Sequence, residues 1–188
     1  MPGARFMSAL NTIFILVLAF GAVFVESSFG GLRHLLSAQI DLLPGLMIYA
    51  SLTSGTITIG LLSVLGGLWF DSLSANRLGV TIVPLFLTGF VVQRLRHLIL
   101  REQTYAQMVL GFAASGLVPL LTLVILFSSG AEPLMSAGFI WQWFVMTVLG
   151  GLLVPVYFKL FDKVYRVLGY ARVVESSYRE DREIKRGK

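Results

Sequence analysis

LLPGLMIYASLTSGTITIGLLSVLGGLWF, from Leu42 to Phe70, contains no Asp, Glu, Lys or Arg. It is long for one membrane-crossing helix and short for two, since each needs about 20 residues. Its centre reads Ser51-Leu52-Thr53-Ser54-Gly55-Thr56, and polar residues around a glycine mark a break. The run therefore divides into a short helix, Leu42 to Leu52, and a longer one, Thr56 to Phe70. A helix of that first length covers only about 16 Å. It cannot cross a membrane alone and must be shielded by neighbouring helices or pair with a re-entrant turn.

Equally uncharged runs lie on either side: Phe6 to Val25, Leu78 to Gln93, Gln103 to Ala131 and Pro133 to Phe158. Only 13% of the 188 residues are charged and the mean hydropathy is +0.81. A soluble domain is nearer a quarter charged, so an all-α polytopic membrane protein is expected. Six membrane segments follow, the second of them short, within one helical domain over residues 1–160. A charged cytoplasmic tail, residues 161–188, completes the chain. The first apolar run follows Arg5, is longer than a signal-peptide core and lacks a small-x-small cleavage site, so it reads as a retained helix.

The connectors carry the polar residues. Glu26 to Asp41 includes Gly30-Gly31 and an amphipathic piece, Leu32-Arg33-His34-Leu35-Leu36, suited to an interface. Arg94-Leu95-Arg96-His97-Leu98-Ile99-Leu100-Arg101-Glu102 is basic. With six segments, Arg5, this connector and the tail share one side, which the positive-inside rule makes cytoplasmic for both termini. If Leu42–Phe70 were one helix, the N-terminus would lie outside. The polar break favours six.

Cysteine is absent, which excludes thiol chemistry and disulfides. The net charge of +5 is no nucleic-acid signature, because the basic residues sit at membrane edges and in the tail. Arg94, Arg96 and Arg101 are candidate contacts for anionic lipid or cytoplasmic partners. His34 and His97 lie in separate connectors, and no metal-ligand spacing, nucleophile elbow or phosphate loop is present. No catalytic, cofactor-binding or metal residue is expected, and no enzyme.

Small residues recur at helical spacing: Gly60, Ser63 and Gly67, then Gly111 and Ser115, then Gly150-Gly151. They let helices approach closely. Packing inside the bundle is preferred to an oligomer interface, and a homodimer stays open. Ser63-Val64-Leu65-Gly66-Gly67-Leu68 and Thr147-Val148-Leu149-Gly150-Gly151-Leu152 look alike, too briefly to make a repeat. Asp41, before Leu42 and Pro44, is placed to cap the second helix. Asp71, Ser74, Arg77 and Gly79 form the turn after the third and are candidates for organising that turn or a partner-binding surface. Asp71 is expected to close that turn by accepting backbone N–H groups, with Arg77 within pairing distance.

The run Gly66-Gly67-Leu68-Trp69-Phe70-Asp71-Ser72-Leu73-Ser74, followed by Leu78-Gly79, resembles the hallmark of the bacterial rod shape-determining protein MreD family. Asp41-Leu42-Leu43 ahead of a short apolar helix, the Arg-rich connector and the basic tail are similar to that family too. Two departures are Ile40 where the family often has Pro, and Ala75 where it often has Gly. The resemblance implies a non-enzymatic scaffold of the cell-wall elongation machinery in the bacterial cytoplasmic membrane. Its partners would be MreC, a single-span membrane protein, with RodA, its partner transpeptidase and MreB. The family is also similar in membrane fold to the substrate-binding subunits of energy-coupling-factor vitamin transporters. That leaves a second expectation, a subunit that binds a small molecule on its outer side.

Overall fold

The computed structural model describes residues 2–28, 41–74, 77–97, 103–130 and 137–167, with side chains in the first helix from residue 9 onward. Among these residues every secondary-structure element is an α-helix. The helices are α1 (Pro2–Ser28), α2 (Leu43–Thr53), α3 (Thr56–Leu73), α4 (Ile82–Leu95), α5 (Thr104–Ser128) and α6 (Ala137–Val167). The Leu32–Leu36 piece, Arg101 and the tail beyond residue 167 lie outside the described residues.

The break expected inside Leu42–Phe70 is present. Helix α2 ends where the Ser54 N–H closes on the Ala50 carbonyl at 2.8 Å and Ser54 turns extended. Gly55 is also extended, and α3 starts at Thr56. Pro44 sits in the first turn of α2, where its missing N–H costs nothing. Every residue from Leu43 to Leu52 is buried, and α2 packs against all five other helices. Its hydroxyls satisfy themselves locally, Ser51 on the Met47 carbonyl and Thr53 on the Tyr49 carbonyl, both at 2.7 Å. This central helix is the shielded short segment that its length demands.

Successive helices alternate in direction. Thr12 of α1 meets Thr58 of α3 at 2.8 Å, and Phe20 meets Trp69 farther along, so those two run parallel. Asp71 and Thr56, at opposite ends of α3, meet Thr81 and Gln93 at opposite ends of α4, which runs antiparallel. Helices α5 and α6 are antiparallel too, with Gly111 against Gly151 and Gly116 against Thr147. The start of α1 and the end of α6 thus share one end of the bundle, joined there by Tyr165 donating to the Asn11 side-chain oxygen. The turn between α3 and α4 lies at the other end.

The outside of the bundle is apolar. Leu10, Ile13, Val17, Phe20 and Phe24 form an exposed stripe on α1, Ile57, Leu61, Val64 and Leu68 another on α3, and Leu117, Leu120, Val124 and Phe127 a third on α5. Inside lie Ser51, Thr58, Ser63, Thr88, Gln107 and Ser115. Large apolar side chains outside with hydroxyls inside is an arrangement suited to lipid. Four helices are long and apolar enough to cross a membrane, at Ala9–Ser28, Thr56–Leu73, Thr104–Ser128 and Gly138–Arg166. Helices α2 and α4 are shorter.

The sixth segment differs from expectation at its end. Helix α6 continues from Lys159 to Val167 instead of giving way to a tail. Phe161 is fully buried, stacking on Tyr49 with ring centroids 3.9 Å apart and meeting Phe14 edge-on at 5.1 Å. The helical domain therefore reaches past residue 160. Its last turns carry charge on one face and aromatic core residues on the other.

Candidate functional site at the turn between α3 and α4

Asp71 occupies the last turn of α3 and is only 1% exposed. Its carboxylate accepts the Gly79 N–H at 2.8 Å, the Thr81 N–H at 3.1 Å and the Thr81 hydroxyl. These donors belong to the first turn of α4 and its approach. A helix start leaves N–H groups without intrahelical partners and carries partial positive charge, so a carboxylate is the fitting acceptor. Gly79 has φ +90°, a left-handed conformation that favours glycine, and its carbonyl takes the Ile82 N–H at 3.3 Å. One turn back on α3, a Cβ on Gly67 would lie 3.0 Å from the Ile82 side chain and 3.1 Å from its backbone nitrogen. Gly67 gives α4 room to approach and Asp71 holds its start.

The other turn residues act locally. Ser74 donates its hydroxyl to the Asp71 carbonyl at 3.4 Å, and Ser72 donates to the Trp69 carbonyl at 2.8 Å. Arg77 does not take the role expected beside Asp71. Its guanidinium reaches the Ser129 carbonyl at the end of α5, at 3.4 Å, so it ties the turn to a different helix.

A second acid joins this region. Asp41 is 4% exposed and accepts the Leu43 N–H at 3.0 Å; it does so from one residue ahead of Leu42, which holds the cap position itself without a side-chain bond. Asp41 lies in the connector ahead of α2, outside the helices long enough to cross. It lies within electrostatic reach of Asp71. Tyr157 of α6 donates to the Leu42 carbonyl at 3.1 Å, within electrostatic reach of both Asp41 and Glu26. The starts of α2 and α4 thus lie together, each with an aspartate on its N-terminal N–H groups. The sequence places both acids at helix ends, and the structure adds that both are buried.

The look-alike Gly-Gly phrases flank the start of α2. A Cβ on Gly66 would come within 3.3 Å of Leu43, and one on Gly45 within 3.1 Å of the Tyr157 ring and 3.6 Å of the Gly150 carbonyl. Gly150 lies about 20 Å along α6 from Ala137 at 1.5 Å per residue. The start of α2 is therefore recessed well below the outer end of α6.

The remaining small residues are spent inside the bundle, with one exception. A Cβ on Gly111 would sit 2.8 Å from the Gly151 Cα, one on Gly150 1.9 Å from the Ser115 hydroxyl, and one on Gly151 2.5 Å from the Phe112 ring. These residues make the α5–α6 contact. Ser63 donates to the Ile59 and Gly60 carbonyls, both at 2.9 Å. Gly60 alone of the candidate packing glycines has nothing within 4 Å.

At the opposite end, polar side chains bridge four helices. Asn11 donates to the Ser54 hydroxyl at 2.9 Å and accepts from Tyr165, while Gln93 donates to the Ser54 carbonyl at 3.3 Å and accepts from Thr56 at 3.0 Å. This belt and Thr81 were missed in the sequence. A polar residue near the end of each of several apolar runs was the available signal. Arg94 and Arg96 are exposed just beyond it, Arg94 lying 4.9 Å over the Phe90 ring.

Among the described residues, no group of three or more His, Cys, Asp or Glu side chains could hold a metal ion. The hydroxyls of Ser72 and Ser74 donate to backbone, and His97 is exposed beside Arg96, at the opposite end of α4 from Asp71. The arrangement positions helices; it places no base beside a nucleophile. Comparison of the chain with protein-family models, curated proteins and solved structures gives no match.

Proposed function

We propose that this protein is a non-enzymatic membrane scaffold of the bacterial cell-wall elongation machinery, of the MreD type, that binds the membrane anchor of MreC. RodA, its partner transpeptidase and MreB would be neighbours in the same assembly, in the cytoplasmic membrane, with six segments and both termini cytoplasmic. The reading rests on the Gly66–Gly79 motif. The observation that supports it is that this motif is an ordering device: Gly67 and Asp71 fix where α4 begins relative to α3. A surface formed by those helices then keeps one shape. The exposed stripe of α3, with Gly60 open beneath it, is the face most suited to a partner helix.

The test is co-purification of MreC with Asp71→Ala and with Gly60→Leu. Asp71→Ala should lower the yield by disordering the turn. Gly60→Leu should lower it at unchanged thermal stability. Wild-type yield from both variants, with normal rod shape in cells, would sink the proposal.

A further inference from the structure

The end of the bundle carrying the polar belt also carries exposed basic residues at one height. The hydrogen-bonded chain from Gln93 through Ser54 and Asn11 to Tyr165 crosses the bundle. The residue after each end of that chain is an exposed arginine, Arg94 on α4 and Arg166 on α6. On α6, Lys159, Lys163 and Arg166 are all exposed and recur at helical spacing, so they share a face. Leu152 and Val156 are exposed on the same face, toward the middle of the helix, and Leu160 is exposed at the edge of that face beside Lys159. Asp162 is half-buried at its edge, where its carbonyl accepts the Arg166 Nε–H at 3.3 Å. The opposite face, with Phe158, Phe161 and Tyr165, is held in the core. The basic groups therefore have a fixed height and direction.

An apolar helix face that passes directly into a basic one has the profile of a membrane, from acyl chain to headgroup. We propose that this face of α6 binds the phosphate headgroups of anionic phospholipid in the leaflet at that end. The acyl chains lie along Leu152, Val156 and Leu160, and Arg94 and Arg96 provide a weaker second contact on α4. The inference needs only that the bundle sits in a membrane. It stands or falls separately from any MreC contact.

The test uses the full chain reconstituted in phosphatidylcholine membranes with trace spin-labelled phosphatidylglycerol or spin-labelled phosphatidylcholine. The motionally restricted fraction of each label gives their relative association with the protein. Wild type should prefer phosphatidylglycerol at low salt and lose much of that preference at high salt. Each charge removed should lower the preference by up to roughly fivefold, the equivalent of about 1 kcal/mol. The K159Q/K163Q/R166Q variant should approach a ratio of one with unchanged thermal stability. K159R/K163R should keep the wild-type ratio, and R94Q/R96Q should lose less than the α6 triple variant. A wild-type ratio of one, an unchanged ratio in the triple variant, or a loss confined to R94Q/R96Q would each overturn the assignment.

Discussion

Replacing Asp71 by alanine removes one acceptor and strands three donors: the Gly79 N–H, the Thr81 N–H and the Thr81 hydroxyl. The site is 1% exposed, so water does not readily replace the carboxylate. Hydrogen bonds to a charged group contribute about 1.5–3 kcal/mol each, but those sharing one acceptor are not additive. A loss of about 3–5 kcal/mol is expected, within the range for breaking a buried network. In a chain of this size that corresponds to a fall in Tm on the order of 10 °C. Thr81→Val removes only the hydroxyl and should cost about 1–2 kcal/mol. The double variant should cost less than the sum of its parents, because Thr81 and Asp71 share a bond. Arg77→Ala removes one exposed, long contact to Ser129 and should stay within about 0.5 kcal/mol. Unfolding of all four proteins in one detergent, followed by intrinsic fluorescence, measures these differences. An Asp71–Arg77 ion pair would make the two alanine variants similar. That outcome, or an Asp71→Ala protein as stable as wild type, would refute the role given to the α4 start.

Other consequences can be checked in the same format. Ending the chain after Phe158 should prevent stable folding, because Phe161 and Tyr165 are lost. Asn11→Ala should cost about 1–2 kcal/mol, since it removes the donor to the Ser54 hydroxyl and an acceptor of the Tyr165 hydroxyl. Gly150→Val should destabilise by more than about 2 kcal/mol through the collision with Ser115, while Gly60→Ala should be neutral or slightly stabilising. A screen of vitamins by thermal shift should give no stabilisation, whereas a clear hit would favour the small-molecule reading.

Much of the architecture is legible because lipid-facing helices write themselves as long uncharged runs. The α2–α3 break is legible for a related reason: Ser54 and Gly55 are a poor centre for a crossing helix and a good end for two. The partner of Asp71 is not legible in the same way. Sequence proximity and charge suggest Arg77, but a buried carboxylate at a helix start meets N–H groups that have nowhere else to go. The long arginine side chain is free to reach across to α5. The end of α6 is hidden by Lys159, Asp162, Lys163 and Arg166, which interrupt the apolar run. Val154, Phe158, Phe161 and Tyr165 nonetheless recur with helical period, so the signal lies in the face and not in the average composition.

The short central helix explains why polar groups gather at two levels of an otherwise apolar bundle. A helix of 11 residues is shorter than the thickness that its neighbours cross, so its recessed start must be satisfied by protein. At its start, Asp41 takes the Leu43 N–H, and Tyr157 donates to the Leu42 carbonyl just ahead of the helix. Past its end, Asn11 and Gln93 bond the Ser54 hydroxyl and carbonyl. Helix α4 meets the same requirement at its own start, through Asp71. The motif aspartates are thus consequences of two helices too short to reach water at one end. The acids are occupied in holding helix starts, and the proposed scaffold role uses them only for that.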